Sequence, residues 1–69
     1  MVIRIPSLEQ HQTIHHWLKD RGIYLDLYEL GYDFGGSSEE GIELFPVLRI
    51  EDGVLADADV TEFILRFGV

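Results

Sequence analysis

The chain is 69 residues long, 46% apolar and free of cysteine, with a formal net charge of −8. This length supports one domain, residues 1–69, and the apolar fraction argues against disorder. Disulfide staples and thiol chemistry are excluded. The longest apolar runs are three residues, as at Val54-Leu55-Ala56, so no hydrophobic membrane span is expected.

Met1–Ile5 reads as a short strand that Pro6 ends. It lacks the long apolar core of a signal peptide, and a soluble, cytoplasmic protein is the simplest expectation. Ser7-Leu8-Glu9-Gln10 fits a capping box that opens a helix running to about Arg21. Ile14, Trp17, Leu18 and Arg21 share one stripe of that helix, and Gly22 is a left-handed stop. Ile23–Leu30 alternates with period two and predicts a strand. Gly31–Gly41 holds four glycines, two serines and three acids, which reads as a long loop. Val47–Ile50 is the next strand, Asp52-Gly53 a hairpin turn and Val54–Ala56 the returning strand. Asp59 can cap a last helix, in which Val60, Phe63, Ile64 and Phe67 form an apolar face. The order is β-α-β-loop-β-β-α. A helix joins the first two strands, which are therefore expected to be parallel neighbours. The expected core is Ile14, Trp17, Leu18, Leu25, Leu27, Val47, Phe63, Ile64 and Phe67.

This layout resembles that of glutaredoxin-like, thioredoxin-fold proteins. The anchors are Pro6 after the first strand, Arg21-Gly22 before the second, Phe45-Pro46, and the Asp52-Gly53 turn. The resemblance implies a four-stranded mixed sheet in the order 2-1-3-4, with a cis peptide before Pro46. It also places the family's two cysteines at Leu8 and His11, and its glutathione-holding glycine pair at Asp57-Ala58. Thiol–disulfide exchange needs a thiolate, which neither leucine nor histidine supplies. An acid at position 57 repels the glutathione carboxylates. The resemblance therefore implies a redox-inactive relative without a cofactor, and no enzyme is expected.

Other chemistry has little support. His11 and His15 lie four apart, as two metal ligands on a helix would, but no third ligand is visible beside His16, Glu9 and Gln12. His11 as an acid–base group lacks a nucleophile. Packing and surface roles suffice for all three histidines.

The charge is uneven. From Asp26 to Glu62 there are 11 acidic residues and one basic residue, Arg49. Such a field repels nucleic acid and membrane surfaces and attracts basic partners, although solubility alone would also account for it. Tyr32 and Phe34 lie among these acids, and aromatics beside acids suit protein recognition. The expected function is that of a binding module, an accessory or inhibitor of a basic protein, such as mobile elements and phages encode. Its contact residues would be Tyr32, Phe34, Glu39, Glu40, Glu43, Phe45 and Pro46. Two alternatives remain: an acidic decoy that imitates nucleic acid and blocks a DNA- or RNA-binding protein, and a divergent enzyme related to thiol-redox proteins.

Overall fold

A computed structural model describes residues Met1–Gly68. The elements are β1 (Val2–Arg4), α1 (His11–Lys19), β2 (Tyr28–Ser38), β3 (Gly41–Ile50) and α2 (Asp57–Phe67). The strands form one three-stranded sheet in the order β1-β3-β2, with both neighbour pairs antiparallel. The architecture is thus a small α/β fold. The four-stranded mixed sheet is corrected to three antiparallel strands, because Val54–Ala56 does not pair back. Those residues lie in the link to α2, where the Val54 amide donates to the Glu51 carbonyl at 3.3 Å. Strands 1 and 2 point the same way, but β3 lies between them. The peptide before Pro46 is trans.

The second strand also begins later than its alternation predicts. Ile23–Leu27 forms a turn in which the Leu27 amide donates to the Tyr24 carbonyl. Alternation then resumes at Tyr28 and runs through Leu30, Tyr32 and Phe34. The glycine-rich span expected to be a loop is therefore mostly strand. Glycine weakens a strand but does not forbid it, and here it accompanies a bulge between Phe34 and Gly36. The hairpin turn falls at Glu39-Glu40, closed by the Ser38–Gly41 pair. The Ser38 hydroxyl accepts the Glu40 amide at 3.2 Å.

The helices are set by different caps from those expected. Helix α1 starts at His11, and the Ser7 hydroxyl accepts the Glu9 amide at 3.3 Å instead of closing a capping box. Gly22 takes a positive φ of 75° and ends the segment as its position predicts. Helix α2 starts at Asp57 rather than Asp59. Asp57 and Asp59 occupy its first turn, where the helix dipole favours negative charge. Asp59 is drawn aside by Arg21, whose Nε donates to it at 3.2 Å.

Both helices cover one face of the sheet. Ile3, Ile5, Tyr28, Leu48 and Ile50 form that face, and Ile14, Trp17, Leu18, Phe63 and Phe67 close over it. The Trp17 ring stands edge-on to Phe63 and Phe67, with centroids at 5.5 and 6.2 Å. Three expected core residues are exposed: Leu25, Leu27 and Ile64. Leu25 and Leu27 are carried out by the turn before β2, and Ile64 sits at the outer edge of the α2 stripe. Val47 is buried as expected, but on the opposite face, between Arg4 and Gly31.

Phe63 is fully buried. Phe63→Ala is expected to cost about 3–5 kcal/mol, whereas Ile64→Ala on the exposed side should cost under about 1 kcal/mol. Urea unfolding followed by Trp17 fluorescence measures both. Equal losses would mean that α2 docks through a different face.

Candidate binding ribbon and the histidine–tyrosine corner

Strand β1 pairs with β3 at Val47–Arg49; beyond these, Met1 and Ile50 exchange bonds at one end and the Ile5 amide donates to the Pro46 carbonyl at 3.0 Å at the other. Beyond Pro46 the hairpin continues alone as a two-stranded ribbon ending at Glu39-Glu40. The molecule is correspondingly long, 43 × 23 × 23 Å. Pairing sets which side chains share a face. Tyr32 lies opposite Pro46 and Phe34 opposite Leu44, and the stripe continues to Ile42. Tyr32, Phe34, Ile42 and Leu44 are 55%, 62%, 68% and 54% exposed. This stripe prolongs the apolar face that the helices cover in the body, at a place where no helix among the described residues covers it.

The other face of the ribbon is filled and charged. The Phe45 ring lies directly over Gly35, where any Cβ would fall inside the ring's contact distance. The Arg4 guanidinium stacks on the same ring at 3.6 Å. Arg49 reaches across Gly31 to donate to Glu29 at 3.1 Å, the Tyr32 carbonyl at 2.6 Å and Asp33 at 3.3 Å. The basic residue of the acidic region is therefore already engaged. Among the described residues, Glu39, Glu40 and Glu43 have no ion-pair partner.

The contact residues expected from sequence thus divide. Tyr32, Phe34 and Pro46 share the apolar face. Glu39 and Glu40 form the tip. Glu43 and Phe45 lie on the opposite face, with Phe45 half-buried. Ile42 and Leu44 are part of the stripe but were not expected. Their period-two spacing with Pro46 is the available signal, but the strand expected from sequence begins only at Val47, whereas β3 begins at Gly41.

A second polar cluster lies on α1. The His15 Nδ1 and the Tyr28 hydroxyl are hydrogen-bonded across the core edge. The His11 Nδ1–H donates to the Leu8 carbonyl at 2.9 Å, and the two imidazoles meet edge-on. Among the described residues no group of three or more potential ligands could hold a metal ion. Burial first, and then neighbouring His11, holds the His15 imidazole below its ordinary value, and burial pushes the Tyr28 hydroxyl up. No helix among the described residues is long and apolar enough to cross a membrane.

Compared with protein-family models, curated proteins and solved structures, the chain matches none.

The lowered His15 value sets a direction with pH. The unfolded chain binds a proton at His15 as pH falls through about 6.5, while the folded chain resists it. The unfolded state then holds more protons, so stability drops below about pH 6.5 until the folded imidazole titrates too. The melting temperature of wild type should fall further between pH 7 and pH 5 than that of His15→Gln. Equal falls would show that His15 does not resist protonation in the fold.

Proposed function

We propose that this chain is a protein-binding module that presents its hairpin ribbon to a basic protein surface, as an accessory or inhibitor. The observation that carries this reading is the exposed stripe of Tyr32, Phe34, Ile42 and Leu44, with the carboxylates of Glu39 and Glu40 at its tip and that of Glu43 on the reverse of the ribbon. Contiguous apolar surface on a small protein marks an interaction site. Aromatic anchors supply the residence time of a complex, and unpaired charge around them steers the approach. The reading involves no catalysis: without cysteine the chain has no thiolate to drive exchange. A decoy for nucleic-acid-binding proteins would also be acidic, but it has no use for an apolar stripe.

Partners are sought by capture from lysate at low and high salt, and binding kinetics are then measured with the purified partner. Charge reversal at Glu39 and Glu40 should slow association and flatten its dependence on ionic strength. Tyr32→Ala or Phe34→Ala should instead speed dissociation by roughly fivefold or more. Unchanged kinetics in all four substitutions would place the interface elsewhere. Displacement of the partner by duplex DNA, with the alanine variants silent, would favour the decoy.

A further inference from the structure

Among the described residues, no strand lies beside the outer edge of β3 beyond Pro46. Resting on the reading above, we infer that this edge, Ile42–Leu44, takes an extended segment of the partner as an added strand, and that the segment alternates apolar and basic residues.

The direction of the backbone groups comes from the rungs that β1 does make. Ile50 both donates to and accepts from Met1, and the Pro46 carbonyl accepts the Ile5 amide. Even-numbered residues of β3 therefore turn their N–H and C=O toward the β1 side. The bulge lies on β2, so β3 keeps this alternation to its end. Leu44 and Ile42 then present their backbone groups outward, and no described residue receives them.

Pairing with β1 stops at the Ile5–Pro46 rung, where Pro46 has no N–H to return a bond to the Ile5 carbonyl. A cleft of about 610 Å³ opens there, lined by Arg4, Ile5, Pro6, Leu44, Phe45 and Pro46, with Gly68 after α2 at its rim. An incoming strand would begin in this cleft and run along β3 toward the tip, in line with β1. Its side chains would alternate between the two faces. One set would lie beside Ile42 and Leu44 on the apolar stripe. The other would lie beside Glu43, which has no ion-pair partner among the described residues. That fixes the alternating apolar and basic pattern.

Two other arrangements fit less well. The outer edge of β2 is free as well, but it is broken by the bulge after Phe34, and its carboxylates at Glu29 and Asp33 are held by Arg49. A second copy of this chain could pair edge to edge through Ile42 and Leu44. It would set two Glu43 carboxylates opposite each other between chains that each carry a charge of −8, which opposes association.

The probe is an acetylated, amidated hexapeptide of alternating valine and lysine, titrated into the ¹⁵N-labelled whole chain and followed by NMR. Three control peptides accompany it: the same residues in two blocks, alternating valine and glutamate, and the alternating valine–lysine peptide N-methylated at its valines. Saturable shifts at the Ile42–Phe45 amides are expected, with at least tenfold weaker binding by all three controls. Leu44→Pro removes an outward N–H and should abolish the shifts, whereas Leu44→Ala keeps the N–H and should retain them in weakened form. Equal binding of the block peptide would overturn strand addition and leave only charge attraction to the ribbon, so the broader reading would survive. Shifts confined to Tyr28–Phe34 would move the site to β2 and overturn the assignment. No saturation at millimolar alternating peptide, or a stable dimer of the free chain, would overturn it as well.

Discussion

The Trp17–Phe63–Phe67 cluster is the contact on which the molecule depends. A chain this short buries a modest fraction of its surface, and without cysteine it has no covalent staple. Strand β1 gives the sheet only three paired residues. The two helices must therefore hold each other and the sheet through one cluster of rings, with Phe63 and Phe67 centroids 5.1 Å apart. Arg21 closes the outside of that cluster. Its guanidinium stacks on Trp17 at 3.5 Å while it donates to Asp59 and Glu62 on α2. An exposed ion pair alone is worth little. Fixed on an aromatic face and bridging two helices, this one ties the position of α2 to that of α1, and so to the base of the ribbon.

The ribbon owes its form to an asymmetry between its faces. Its back is filled by Phe45 over Gly35 and by the long arginine side chains of Arg4 and Arg49. Its front has no such cover. An isolated hairpin is marginal in water, so the packed back is what holds the front stripe in one arrangement. A surface held in place before contact loses less side-chain freedom on binding. The bare front and the filled back are two parts of one device.

Local signals were legible in the sequence, and long-range ones were not. The stripe of α1, the stop at Gly22 and, apart from the exposed Ile64, the face of α2 follow from spacing within one element, and they stand in the structure. The sheet did not follow, because neighbour order depends on residues far apart in the chain. Asp52-Gly53 has the better hairpin chemistry, yet Glu39-Glu40 makes the turn. What decides is the long alternating partner on each side: Tyr28, Leu30, Tyr32 and Phe34 find Ile50, Leu48, Pro46 and Leu44. Val54–Ala56 offers too few residues to compete, and Leu55 is more useful buried in the core. The site was half legible for the same reason. Tyr32, Phe34 and the acids stood out by type, whereas Ile42 and Leu44 matter only through the pairing that brings them beside the aromatics.

The strand order has a kinetic consequence. Strands β1 and β2 do not touch; each is joined to the sheet only through β3. Hairpin partners such as Ser38 and Gly41 are near neighbours in the chain, whereas Val2 must find Arg49 across most of its length. Closing a large loop costs entropy before any contact repays it. The hairpin can zip from its tip on the microsecond scale of isolated hairpins, while β1 has no edge to join until β3 is in place. The topology therefore lets the hairpin form from the acidic tip toward the body before the N-terminal strand closes the sheet.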